Sequence, residues 1–324
     1  MLKADIHCHM EGTIRPALAR RLAARNKTPL PEALFREDGS YAWTDFKSFL
    51  KAYDMVAALV QTPQDYRDIT YDHFAGGAAQ GMIYGEVFTS PDHAASSGLS
   101  YASMMEGIEQ GLEDAQADHG VEGRIIATAV RHLGVEAAEA VAALVARQAH
   151  KLVTGFGMGG DELMGHPADY ARALAIAHEA GLECTVHAGE VAGPHSVHAA
   201  LDALPVKRIG HGVRAIEDVE LVARLRDQRI VLEVCPGSNV ALEIYPSRAA
   251  HPLRALRDAG CIVTINADDP PFFWTDIGAE YAGAGAEMGF SDAELLEFTR
   301  NALNAAFVDA ATRARLLARL DAQT

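Results

Sequence analysis

Four short stretches of this 324-residue chain carry side chains able to hold a metal ion and move protons beside it. His7-Cys8-His9 sets two imidazoles two residues apart, and on a strand such side chains share one face. In His187-Ala188-Gly189-Glu190 an acid follows a histidine by three residues, across two small residues that let the chain turn and a ligand approach. Gly210-His211-Gly212 isolates a histidine that has little local packing reason to be there. Asp268-Asp269 sets two carboxylates side by side; a helix cap needs only one, so one facing a cation and the other a ligand is the economical reading. Three histidines, a carboxylate and a water describe a catalytic zinc site with an open position. Taken singly, each stretch has a plainer reading: a His-x-His is by default a structural pair, and Glu190 would serve as a helix cap.

These residues share a placement. Eight apolar runs cross the sequence: 4–9, 82–88, 124–130, 152–158, 182–187, 208–211, 230–234 and 261–266. His7 and His9 close the first, His187 the fifth and His211 the sixth, and the two aspartates follow the eighth. From Gly120 onward the runs alternate with Ala/Leu/Glu/Arg-rich amphipathic stretches (136–150, 167–180, 196–203, 217–227, 252–259), with Gly181 and Gly260 at two expected helix stops. Strands alternating with helices mean a parallel sheet, and eight units favour closure into an α/β (β/α)8 TIM barrel over an open doubly wound sheet, for which no G-x-G-x-x-G follows any strand. In a barrel the C-terminal strand ends converge on one mouth, which gathers the scattered histidines and acids. The connection from Met10 to Gly81 is too long for a simple crossover. It contains helical stretches at 15–25, 44–60 and 63–80 and the aromatic segment Tyr41-Ala42-Trp43, and it is expected to be either a lid or packing. Further helices are expected at 291–304 and 310–320. No repeat or linker divides the chain, so one domain over 1–324 is expected.

A net charge of −16 argues against non-specific binding to nucleic acid or anionic membranes. No segment approaches the ~20 apolar residues of a membrane span, and no leader-like N-terminal stretch is evident. Cys8, Cys184, Cys235 and Cys261 fall in or beside predicted strands without a C-x-x-C pair, which predicts buried, reduced thiols and a cytoplasmic location. The other ten histidines read as surface or packing residues; among them His195 and His198 (i, i+3) do not sit at a strand end. Composition leaves the oligomeric state open.

In combination, His7-x-His9, His187-Ala-Gly-Glu190, Gly210-His211-Gly212 and Asp268-Asp269-Pro270 resemble the adenosine/adenine deaminase family of the amidohydrolase superfamily, in order and spacing along nearly the whole chain. The resemblance implies one Zn2+ per chain held by His7, His9, His187 and Asp268. It implies that Glu190 donates a proton to purine N1, that His211 positions the hydrolytic water, that Asp269 meets N7 and that the backbone of Gly160 meets N3, with His9 also among the substrate contacts. Zinc lowers the pKa of bound water to about 7, and Glu190 must be protonated to donate, which burial would favour. Two-metal relatives often carry a modified lysine at the end of the fourth strand; here Gly157-Met158-Gly159-Gly160 stands there and Lys151 lies at the strand's beginning, so one metal is expected. The H-x-E…P-C-x-x-C signature of nucleobase-editing zinc deaminases does not occur. Gly160-Asp161-Glu162 and Arg208-Ile209-Gly210-His211-Gly212 look like the nucleoside branch, so adenosine and 2′-deoxyadenosine are the expected substrates, with the carboxylate of Glu11 reaching the ribose. Glu11 stands where that branch often has Asp and is common in adenine deaminases, which makes adenine or another 6-aminopurine the second reading. A barrel hydrolase for cyclic amides or phosphoesters, or a non-catalytic zinc- or purine-binding barrel, is the remote alternative, distinguished by loss of Glu190 or a ligand.

Overall fold

In the computed structural model, which describes residues 1–322, eight strands pair in sequence order, every neighbouring pair parallel. They are β1 (Lys3–His9), β2 (Met82–Thr89), β3 (Glu122–Val130), β4 (Val153–Gly159), β5 (Glu183–Ala188), β6 (Val206–His211), β7 (Val231–Val234) and β8 (Ile262–Ile265). Each falls within two residues of its apolar run, and the barrel expected from the sequence is the barrel observed. Residues 323–324 of the expected domain lie outside the described residues.

The seam between the first and last strands explains how the site is held. Past β8, Asp268 bridges in parallel to Cys8: His9 N donates to Asp268 O at 3.0 Å, and Asp268 N donates to His7 O at 3.0 Å. Below this bridge two side chains stand in for ladder bonds, Asn266 Oδ1 accepting from Ile6 N and Asp5 Oδ2 from Ala267 N. The main chain that closes the barrel therefore carries three of the four candidate ligands.

Alternation along each strand sends Ile6, Val186, Ile209 and Val263 outward against the helices, all fully buried. The inward positions are unusually polar: Glu86, Thr185, Arg208, Glu233 and Thr264 are all 0–1% exposed. Buried charge is costly unless paired, and here it is. Arg208 lies between Glu86 (Nη1 to Oε2, 2.6 Å) and Glu233 (Nε to Oε1, 2.5 Å), with its guanidinium 3.6 Å from the centroid of Phe307.

The three helices expected in the long first connection are present (Pro16–Asn26, Phe46–Ala57, Pro63–Ala79), as are the two after Phe290. The sequence reading lists no helix between the second and third runs, yet a 19-residue helix, Tyr101–His119, stands there. Gly107 and Gly111 weaken its intrinsic propensity. They are needed for contact: a Cβ would lie 2.1 Å from Pro63 O at Gly107 and 2.7 Å from Arg67 O at Gly111, so the glycines let this helix press against Pro63–Ala79. The aromatic segment serves packing. Tyr41 stacks on Phe272 at 4.3 Å, and Trp43 Nε1 donates to Phe272 O.

Candidate active site

The mouth of the barrel brings together His7, His9, His187 and Asp268, with ligand atoms all within 4.8 Å of one another. His7 Nδ1 lies 2.7 Å from Glu233 Oε2, and His187 Nδ1 lies 3.0 Å from Met158 O. Both partners accept, so each ring carries its proton on Nδ1 and turns the lone pair of Nε2 inward. These two Nε2 atoms are 3.1 Å apart, and His9 Nε2 is 3.2 Å from that of His187. Lone pairs at such distances repel unless a cation lies among them. Burial pushes His9 down, yet Asp269 and Asp268 outweigh it and carry the ring up to about 9, so the cluster calls for positive charge. Imidazole nitrogens with one carboxylate suit zinc, and the donor set fits one such ion. Lys151 is 68% exposed and paired with Glu109, away from the site.

Two turns of the site are strained. His211 (φ +58°) and Asp268 (φ +62°) adopt left-handed backbone that non-glycine residues avoid. Gly210 is required for a different reason, since a Cβ there would sit 2.7 Å from His7 Cε1.

His211 lies beside the cluster, with Nε2 3.7 Å from Glu190 Oε2 and 3.9 Å from Asp268 Oδ2. Burial carries its pKa down to about 3, so the ring is neutral near pH 7. Its tautomer follows from a chain of bonds. Leu253 N donates to His251 Nδ1, His251 Nε2 to Asn239 Oδ1, and Asn239 Nδ2 to His211 Nδ1, leaving the His211 proton on Nε2, toward the cavity. Asn239 and His251 were not singled out in the sequence, where His251 reads as packing.

The two carboxyls that face the cavity are both pushed upward, toward protonation. Burial pushes Glu190 well up, reinforced by the charges of Asp268, Glu162 and Asp269. Burial raises Asp269 as well, against the pull of His9 and with the help of Asp268. Asp268 behaves oppositely: burial alone would raise it, but its bond to His9 and the nearby histidines hold it low. Asp269 Oδ1 is buried with no hydrogen-bond partner. It rests on Gly12, where a Cβ would come within 1.7 Å of it, so glycine there is a condition for the placement of Asp269.

The cavity is lined by His9, Glu11, Gly160, His187, Glu190, His211, Asp268 and Asp269, so the sequence-predicted residues meet at one site. The helix Phe46–Ala57 covers it with Phe46, Phe49, Leu50, Tyr53 and Asp54, and the long connection is thus a cover over the mouth as well as packing. His93 and His132 also line the cavity, against the expectation of surface or packing roles. His195 and His198 stay away from it; His198 pairs with Asp218 at 3.0 Å. All four cysteines are free and buried, as expected.

Glu11 departs most from expectation. It lies in a short 3-10 turn, Glu11–Thr13, and is 1% exposed. Its Oε1 accepts from Tyr66 Oη (3.2 Å) and Thr89 Oγ1 (3.0 Å), and its Oε2 from Tyr53 Oη (3.2 Å). Both oxygens are engaged by hydroxyls of two helices and of β2, which hold the carboxylate in place at the cavity wall.

The family model for adenosine deaminase matches residues 2–323. The chain belongs to the adenosine deaminase family. It is 51% identical to an adenine deaminase of Agrobacterium fabrum, over 99% of this chain and 98% of that one. Among solved structures, the adenine deaminase of Arthrobacter aurescens superposes with a TM-score of 0.92 at 32% identity, covering 99% of this chain and 98% of its own. A zinc-bound amidohydrolase of Burkholderia ambifaria superposes at 0.91 and 27% identity, over 100% of this chain and 90% of that one. The activity class is hydrolytic deamination. The two adenine deaminases overturn the expectation of adenosine and 2′-deoxyadenosine as substrates. Among the described residues, no helix is long and apolar enough to cross a membrane.

Proposed function

We propose that this single-domain protein is a zinc-dependent adenine deaminase that converts adenine and water into hypoxanthine and ammonia. The observation that carries the choice of base is the Glu11 cluster. Where a nucleoside enzyme needs free acceptors for ribose, this site has a carboxylate satisfied by Tyr53, Tyr66 and Thr89 beneath a covering helix. The names of the relatives at 51% and 32% identity agree with that reading.

His7, His9, His187 and Asp268 are the residues that would hold the zinc, whose chemistry when bound is to make water nucleophilic near neutral pH. The chain's own groups do the rest. Glu190, kept protonated by burial, donates to N1 and draws electron density from C6. Asp269, also neutral, donates to N7 through its otherwise unpartnered carboxyl, and the backbone of Gly160 meets N3. His211 offers its Nε2 proton to the attacking oxygen, and Asp268, held ionised, accepts a proton from that water and returns it to the departing amino group. The new C6–O bond replaces C6–N6, the proton given to N1 is retained in the 6-oxopurine, and the second proton of the water leaves the C6 oxygen as the carbonyl forms and restores the Glu190 carboxyl.

The test is Glu190→Gln, followed by ammonia release from adenine. A general acid contributes about 10²–10⁴-fold, so kcat should fall by that factor while zinc per chain stays constant. Undiminished turnover in the metal-loaded variant would end the assignment of Glu190.

A further inference from the structure

Among the described residues, one buried carboxylate outside the reacting set is surrounded by more donors than any other. Glu162, 4% exposed, lies in the loop after β4. Its Oε2 accepts from the backbone N–H groups of Glu190 (3.1 Å), Val191 (2.8 Å) and Ala192 (2.9 Å), and its Oε1 from Gly189 N (2.5 Å) and Ser196 Oγ (2.6 Å). Four consecutive amides thus converge on one side chain, and the turn that presents them is the turn that carries Glu190. Gly189 is at φ +71°, and a Cβ there would meet Val197 Cγ2 at 2.5 Å, so the turn has one conformation in which to do this.

Both sides of the turn are tied to the cavity walls. On one side Glu162 belongs to the loop of Gly160, and its own carbonyl accepts from the buried Arg131 at 2.9 Å. On the other, Arg214 N donates to Gly189 O (2.9 Å), its Nη1 donates to Val191 O (2.6 Å), and Gly212 N donates to Ala188 O (3.1 Å), all from the segment that follows His211. The acid is therefore fixed between the loop assigned to N3 and the histidine assigned to the water.

We propose that Glu162 is a positioning residue that sets the distance of Glu190 from the purine by gathering the amides of its turn, and so acts on catalysis only through Glu190. Only an acceptor-only group with two oxygens satisfies five donors. An amide would turn its NH2 on N–H groups that have no other partner among the described residues, and a buried donor left unsatisfied is costly. Precise placement is what a proton donor needs, and a shift of about 1 Å costs on the order of 10²-fold. The negative charge of Glu162 also helps keep Glu190 protonated.

The inference rests on Glu190 being the proton donor, and a double-mutant cycle separates the two claims. Glu162→Gln should lower kcat for adenine by about 10–100-fold with zinc per chain unchanged. In the Glu190→Gln background the same substitution should cost less than about twofold, because the group it positions is already disabled. An equal fold-loss in both backgrounds would show a general structural role and overturn the proposal, whereas high activity of Glu190→Gln alone would overturn the proton-donor reading instead. If Glu162→Gln fails to fold, Glu162→Asp runs the same cycle: it keeps the charge but shortens the reach, and the same non-additivity is required. Ser196→Ala, which removes one donor and leaves the four amides, should change kcat by less than about threefold; a loss matching that of Glu162→Gln would contradict the role given to the amides.

Discussion

The two sides of the cavity are built differently. The metal side is made of strand ends: His7 and His9 close β1, His187 lies in β5, and Asp268 forms the bridge that completes the barrel. Parallel pairing pins these residues to one another, and acceptors beneath them fix their rings. The opposite side is made of helices and turns from the long first connection, where Glu11 joins Tyr53, Tyr66 and Thr89 across 42, 55 and 78 residues of sequence. The first side is specified by the pairing of the fold and the second by how side chains of helices and turns pack over the mouth. Reaction type should therefore follow the first and substrate range the second.

The largest expected effect falls on the metal side. His187→Ala removes a candidate ligand whose Nε2 lies within 3.2 Å of two others, and activity should drop by several powers of ten together with zinc content. Metal analysis that still finds one ion per chain would remove His187 from the ligand set. A smaller effect is expected one layer down. Glu233 bonds His7, and such partners typically matter by about 10–100-fold in metal affinity. Glu233→Gln should speed zinc loss to a chelator by that order, and an unchanged rate would mean that Glu233 serves only its pairing with Arg208.

The same contrast governs what the sequence discloses. Strand ends were legible because each combines an apolar run with a functional side chain at a fixed place, as in Leu182 to His187. The barrel followed from eight such runs. The surroundings of Glu11 were not legible because a turn residue carries no such register: its neighbours are decided by how Phe46–Ala57 and Pro63–Ala79 settle over the mouth. Asn239 and His251 were missed because they act on His211 rather than on a ligand, and nothing in their local sequence marks a bond to another residue's ring. The helix Tyr101–His119 was hidden by the glycines that let it pack.

The smallest expected effect concerns that chain of bonds behind His211. Burial lowers His251 to about 3, below the ~6.5 of an unfolded histidine. The unfolded chain takes up this proton first as pH falls, so the group's contribution is fully present above pH ~6.5 and is lost toward 3. His251→Gln should flatten the dependence of folding stability on pH across that window in urea titrations, and should lower turnover by less than about tenfold through Asn239. A slope identical to that of the wild-type protein would show that His251 does not titrate as its burial dictates.

The division between the two sides is tested most directly by kcat/KM for adenine and adenosine on one zinc-loaded preparation, with Glu11→Ala measured beside it. If the helix side closes the sugar's place, the wild-type protein should favour adenine by about 10²-fold or more, and Glu11→Ala should narrow that ratio by releasing Tyr53 and Tyr66. Equal rates on the two substrates, or a preference for adenosine, would contradict the account.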